Sequence, residues 1–465
     1  MSTTNVFEAV KTGRMSGMQW RAVIVGLLLI VLDGYDIALA SFASPYIAQG
    51  LRLTPQELGY VGSGALVGMC IGAGLIAPLG DKYGRRFSAI LGSVLATAGM
   101  AVSASADVFE VLIVGRVITG AGVGTLLAAI AVIFSEYVNR KFYALVMGLY
   151  AAGVPLGTLF GSQLAGPVIA EHGWRAGFLI GLFATGACIP LTLWAIPESL
   201  SFVAGSRKPG ALKRFNKLLT SMRMPAVDAL PDTSSLAKPK VPVSEVFRGS
   251  MLVRTLMAIV SYFLFMAAFY FTTHWSAKYL ADVTGDHSIA PHLMTMYSVG
   301  GLIGVAVFAV VTARAANLYL ITAGVLLVSA LGMGLYGMAA TAQTLPVLTL
   351  SVASVFLSAG TAGFYAVVPR LYPEKIRSTG YGIVIGVGRI GGVVGPSLGG
   401  FFFQRNVDER LVYWLFAIPM VLSAVMLVAM RGLRDGQDLA DEEAGATMAG
   451  GARRAEEPEK PTALV

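Results

Sequence analysis

Charge is scarce in this chain. Asp, Glu, Lys and Arg make up 13% of its 465 residues, where a soluble globular chain carries about 25%. With 55% of residues hydrophobic and a mean hydropathy of +0.71, a water-soluble globule is excluded and a polytopic membrane protein is implied. Cysteine is nearly missing: Cys70 and Cys188 both fall in apolar stretches far apart in sequence, so no disulfide framework is indicated. No Cys/His cluster has metal-ligand spacing, and nothing calls for a metal or another cofactor. A nucleophile motif and a phosphate-cradling loop are missing too, which argues against an enzyme. No appended signalling domain is read in the sequence, which argues against a dedicated sensor. A cleavable signal peptide is not expected, because residues 1–20 are mostly polar and the first apolar run is too long.

What is there is apolar and periodic. Hydropathy predicts an all-α chain of twelve spans at about 20–49, 57–80, 86–105, 108–136, 142–169, 174–196, 252–281, 290–313, 317–339, 344–371, 378–403 and 410–431. They divide into an N-terminal six-helix bundle (20–196) and a C-terminal one (252–431). Residues 1–19 form a polar N-terminus, 197–251 a linker, and 432–465 a charged, small-residue-rich tail expected to be disordered. The linker contains Lys213-Arg214-Phe215-Asn216-Lys217-Leu218-Leu219; a solvated connection is the favoured reading, a short amphipathic helix on the inner leaflet the other.

The net charge of +8 matters through its placement and calls for no nucleic-acid partner. One side holds Lys11, Arg14, Arg21, Lys82, Arg85, Arg86, Arg140, Lys141, ten cations from Arg207 to Arg254, Arg314, Arg370, Lys375, Arg377 and the tail. The other holds only Arg52, Arg175, Lys278, Arg405 and Arg410. The positive-inside rule makes the first side cytoplasmic, with both termini there, as expected in a cell inner membrane.

The first span carries Leu32-Asp33-Gly34-Tyr35-Asp36. An ionisable group at the centre of a span costs about 2.5–3.5 kcal/mol on insertion scales. Asp33 and Asp36 are three residues apart, so they share a helix face that must avoid lipid. Carboxylates facing an internal, watered cavity are suited to take up and release protons. Arg116 in the fourth span needs an anionic partner, and the span-one aspartates, Glu136 and a bound substrate are all open to it. Glu136, near the end of that span, has Arg85, Arg86 and Arg140 in reach, and a gating ion pair is favoured. His274 in Phe269-Tyr270-Phe271-Thr272-Thr273-His274-Trp275 is a candidate for substrate binding or proton relay, although a lone His is more often structural. Arg389 sits about a dozen residues into the eleventh span. A guanidinium fork fits a carboxylate bidentately, which makes Arg389 the leading ligand for a substrate anion, with a protein acid as the competing partner.

Several stretches resemble a known family. Gly80-Asp81-Lys82-Tyr83-Gly84-Arg85-Arg86 resembles the loop signature of the major facilitator superfamily, and Arg116-Val117-Ile118-Thr119-Gly120-Ala121-Gly122 its fourth-helix motif. The equivalent second-half loop around Arg314 has lost the acid. Span six ends in Pro197-Glu198-Ser199. Tyr372-Pro373-Glu374-Lys375-Ile376-Arg377, then Gly388-Arg389-Ile390-Gly391, together with the two span-one aspartates, are similar to one branch, the aromatic acid:proton symporters.

This resemblance implies two six-helix halves rocking about a midplane site. It implies proton coupling at Asp33, Asp36 and Arg116, and gating at Asp81, Arg85, Arg86, Glu136, Glu374 and Arg377. It further implies import of a benzoate-like carboxylate bound by Arg389 and His274 among aromatics such as Tyr35, Tyr270, Trp275, Phe364 and Tyr365. Small aromatic carboxylates, protons and lipid are the partners, and a monomer is expected because one chain holds both halves of a site. An importer of non-aromatic organic acids and a proton-coupled exporter remain the alternatives.

Overall fold

The computed structural model describes residues 6–206, 209–231, 242–313, 317–339, 345–373 and 375–455, with side chains described for all of these but 250, 313 and 433–455. Among the described residues there are helices and turns and no strand. Twelve helices among the described residues are long and apolar enough to cross a bilayer: Gly17–Phe42, Pro55–Ile76, Arg85–Ala104, Phe109–Tyr137, Arg140–His172, Trp174–Ala195, Met251–Thr284, Ile289–Thr312, Leu318–Ala339, Leu345–Leu371, Arg377–Gln404 and Glu409–Gly432. These are spans one to twelve.

Local sequence sets their ends. Ser16 and Gln19 form a reciprocal capping box at the start of span one, and Thr54 and Glu57 another at span two, where Pro55 takes a first-turn position that needs no N–H donor. Span one is shorter than hydropathy predicts. It ends at Phe42, and a separate helix, Ser44–Leu51, carries the apolar run onward. Pro45 explains the break, since its ring has no donor and clashes with the preceding turn. Span eleven is two helices, Arg377–Gly388 and Ile390–Gln404, that meet at Arg389.

The linker departs from the solvated reading. Ala211–Ser221 is a helix whose Ala211, Phe215 and Leu219, four residues apart, are buried. Phe215 and Leu219 share a cluster with Val6, Val10, Leu200 and Val203, at the end of the N-terminal half. Phe7 of the first short helix, Val6–Thr12, packs its ring 6.5 Å from that of Phe215. Burying such side chains contributes about 1.5–3 kcal/mol each, which holds this stretch on protein and leaves Lys213, Arg214 and Lys217 in solvent. The last helix also departs from expectation. It runs past span twelve to Ala455, where a disordered tail was expected. Residues 456–465 lie outside the described residues, as do Arg314 and Glu374.

The helix pairs repeat. Spans three and four, one and five, two and four, three and six, and one and six pack together in the first half. Spans nine and ten, seven and eleven, eight and ten, nine and twelve, and seven and twelve repeat that pattern six helices later. The halves meet through spans two and eleven and through five and eight, which exchange under the same relation.

The hydrogen bonds that join the halves gather at the face opposite the linker. Gln56 N–H donates to Gln404 Oε1 (3.2 Å), Ser63 donates to Val393 O (2.6 Å) and Gln163 Nε2 to Thr295 Oγ1 (3.0 Å). A Cβ on Gly59 would meet Pro396 O at 2.5 Å, so only glycine permits this approach. Toward the linker face, a Cβ on Gly74, Gly382 or Gly386 would meet nothing within 4 Å. Spans two and eleven therefore touch at one end and part at the other.

Candidate functional site

Span one brings both acids into the interior. Asp33 and Asp36 are 3% and 2% exposed. Arg116 reaches across from span four and donates from Nη1 to Asp36 Oδ1 at 2.5 Å and from Nη2 to Asp36 O at 3.3 Å. Its guanidinium is fully buried, with the Phe178 ring 5.9 Å away. A charge so placed is tolerated only when paired, which selects Asp36 among its open partners and rules out a snorkelling arginine. Asp33 differs. Both of its carboxylate oxygens are buried with no hydrogen-bond partner in the protein. A cavity of about 20 Å³, room for one water, touches both acids along with Ser93, Thr119 and Thr185.

The second half supplies the opposite charge. Arg389, at the join of the two helices of span eleven, takes a hydrogen bond geometry of 3.3 Å from Nη2 to Tyr365 Oη, with the guanidinium donating. No carboxylate lies within ion-pair distance of it among the described residues. Asp33 and Tyr150 of the first half, whose hydroxyl donates to Leu127 O at 3.2 Å, lie within electrostatic reach of it, as do Tyr270 and Tyr381 of the second. The Tyr381 ring is 6.4 Å from that of Tyr365. Tyr270 packs against Leu66, Met69 and Val123 of the first half and so bridges the interface. An unpaired guanidinium ringed by phenols from both halves is suited to a planar anion.

Other expected site residues lie elsewhere. Tyr35 points away from the interface and donates to Gly177 O in span six at 2.5 Å, because its helix face is the one turned to spans five and six. Trp275 donates its indole N–H to Pro396 O at 3.0 Å and packs on Phe403 inside the second half. Phe364 is fully buried and stacks on Phe265 at 5.2 Å. All three are core side chains, so the expectation that they line the substrate cavity is corrected. His274 does reach the interface. Its Nε2 lies 3.1 Å from Leu58 O of span two, and it shares a cavity of about 20 Å³ with Arg116, Tyr270 and Thr273.

The expected gating group is also rearranged. Asp81 pairs with Arg85 one turn on, and Arg86 donates to Leu193 O; both contacts stay within the first half. Glu136 makes no ion pair with Arg85, Arg86 or Arg140. It accepts from Ser199 Oγ (2.8 Å), Leu200 N–H (2.7 Å) and Ser201 Oγ, at the start of the helix Leu200–Ala204. Helix-start amides attract a carboxylate as surely as a cation does, and they were the nearer donors. The loop motif and the Pro197-Glu198-Ser199 ending turn out to be one unit. Gly84 has φ +107°, and a Cβ there would meet Glu198 Oε2 at 2.1 Å, so the motif glycine makes the seat for Glu198. Arg377 donates to Tyr372 O at 3.4 Å.

Two site residues escaped the sequence. Tyr381 had a signal: it lies eight residues before Arg389, on the same helix face. Tyr150 had none, because span five carries no charged residue near it to mark an inward face.

Comparisons with known proteins bear on the fold and the family. A benzoate transport protein of Acinetobacter baylyi is 24% identical over 92% of this chain and 93% of its own. A 4-hydroxybenzoate transporter of the same organism is 26% identical over 92% and 94%, and a gallate transporter of Pseudomonas putida 24% over 89% and 92%. A crystal structure of a D-xylose-proton symporter superposes with a TM-score of 0.67 at 17% identity, covering 88% of this chain and 97% of that one. The family model described as Major Facilitator Superfamily matches residues 26–352 and 280–455, and the chain is a membrane transporter belonging to that superfamily.

Proposed function

We propose that this transporter imports an aromatic carboxylate of the benzoate or hydroxybenzoate type together with protons. The observation that carries the reading is a pair of opposite charges without ion-pair partners, Asp33 in the first half and Arg389 beside the Tyr365 phenol in the second. The names of the relatives support the substrate class. The distribution of Lys and Arg supports a cytoplasmic linker and termini in the cell inner membrane. On that orientation the closed face is external, and the described state is open to the cytoplasm.

The steps follow from the charges. With the external face open, a proton neutralises Asp33, and the substrate carboxylate takes the fork of Arg389 while its ring lies among Tyr150, Tyr270, Tyr365 and Tyr381. Loss of the acid's negative charge removes the competitor for Arg389, so proton and anion favour each other's binding. The halves then rock, and Ser63–Val393, Gln163–Thr295 and His274–Leu58 close the outside. Release to the cytoplasm frees both. One proton per monoanion is electroneutral; a second couples the step to the membrane potential at about 2.3 kcal/mol per 100 mV. One chain holds both halves of the site, so a monomer suffices.

Uptake of radiolabelled benzoate and 4-hydroxybenzoate by cells expressing the protein, with and without a protonophore, tests the reading. Protonophore-sensitive accumulation supports it, and efflux of the labelled acids with an inward proton gradient overturns it.

A further inference from the structure

On the linker face of the first half, away from the space between the halves, lies a pocket of about 470 Å³. It is bounded by the starts of spans one and three, the end of span six and the linker helix Ala211–Ser221. Four cations line it, Arg21, Arg86, Arg214 and Lys217, against one carboxylate, Glu198. That carboxylate is already engaged, accepting from the backbone N–H of Arg86 (3.2 Å) and of Ser199 (2.9 Å). The Nε atoms of Arg21 and Arg86 are buried with no partner in the protein. The Arg21 guanidinium instead lies over the Trp194 ring, 4.2 Å from its centre.

The mouth of the pocket identifies the source of its ligand. Trp194 is 62% exposed, and Leu193, Leu191 and Phe183 continue the exposed apolar surface down span six, the side that faces lipid. A tryptophan at the end of a span marks the level of the headgroups. The pocket thus offers donors for phosphate oxygens directly above a surface for acyl chains.

We propose that this pocket binds the headgroup of an anionic phospholipid. Its volume falls in the range of small-molecule sites, and basic pockets at the ends of spans suit such headgroups. A zwitterionic headgroup would bring an ammonium group among four cations, so phosphatidylglycerol is preferred to phosphatidylcholine. A soluble phosphate ester shares the phosphate chemistry but gains nothing from Trp194 and the leucines. The bound lipid ties the linker helix, through Arg214 and Lys217, to spans one and six.

The test uses the full-length protein in phosphatidylcholine nanodiscs that contain a minority of phosphatidylglycerol. Native mass spectrometry after detergent extraction then counts the lipids retained. The wild type retains one phosphatidylglycerol per chain, and retention falls about fivefold for each cation removed, in Arg21→Gln and in the exposed double variant Arg214→Gln/Lys217→Gln. Arg52→Gln, on the opposite face, retains it fully, and glycerol phosphate does not displace it. Equal retention in all variants overturns the proposal. Displacement by glycerol phosphate as readily as by lipid also overturns it, in favour of a soluble ligand. The readout is independent of transport, so its outcome is separate from that of the uptake assay.

Discussion

Arg116 Nη1 lies 2.5 Å from Asp36 Oδ1, with both side chains sealed from solvent, while Asp33, one turn earlier on the same helix, has no partner for either oxygen. Two acids of one span, three residues apart and on one face, are thus placed in opposite situations. The paired acid anchors span one to span four. The unpaired acid is left for exchange with whatever enters the space it faces.

That difference separates stability from coupling. Asp36→Asn leaves Arg116 charged and buried, and breaking such a pair costs about 3–5 kcal/mol. Thermal melting of the purified protein should fall markedly for Asp36→Asn and little for Asp33→Asn, which loses no hydrogen bond. Equal melting temperatures would remove the distinction.

Arg389 is expected to govern affinity for the anion. Arg389→Ala should abolish measurable uptake, and Arg389→Lys, which keeps charge but not the fork, should raise KM by at least about tenfold. Tyr365→Phe removes one neutral phenol from the guanidinium and should raise KM by about two- to tenfold, the range of a single hydrogen bond. Kinetics of radiolabelled uptake check all three.

The external closure depends on glycine at position 59. Gly59→Leu places side-chain atoms where Pro396 O already lies 2.5 Å from a Cβ, and should hold that face open. In a background with Cys70→Ser and Cys188→Ser, a cysteine at Gly386 reports the opposite face. Its labelling by a membrane-impermeant maleimide in inside-out vesicles should slow severalfold when Gly59→Leu is added. Unchanged labelling would refute the closure described.

Tyr35 and Trp275 are expected to act on folding alone. Tyr35→Phe and Trp275→Phe each lose one buried hydrogen bond to a carbonyl that keeps its helix partner, at about 0.5–1.5 kcal/mol. Both should lower the melting temperature with KM for substrate unchanged. A large KM effect from Trp275→Phe would return it to the substrate cavity.

The twelve spans, the two halves and the need of Arg116 for an anionic partner were legible because each rests on a local rule: apolar length, loop charge, and the cost of an unpaired ion in lipid. What was not legible is direction around the helix axis between neighbours. Tyr35 and Asp36 are adjacent in sequence, yet one faces span six and the other span four. His274 and Trp275 diverge in the same way, toward span two and toward span eleven. Glu136 was misassigned for another reason. Its neighbours in sequence are cations, but the fold brings the start of the helix Leu200–Ala204 to it, some sixty residues later. The linker helix was undervalued because its apolar positions are few and find their cover on Val6 and Val10, far back in the chain.

The most direct test separates driven accumulation from exchange in proteoliposomes containing the purified protein. Asp33→Asn should lose accumulation of labelled 4-hydroxybenzoate under an imposed pH gradient while still exchanging labelled for unlabelled substrate across the membrane at near wild-type rate. Gradient-driven accumulation by Asp33→Asn equal to that of the wild type would contradict the assignment of Asp33 as the proton site.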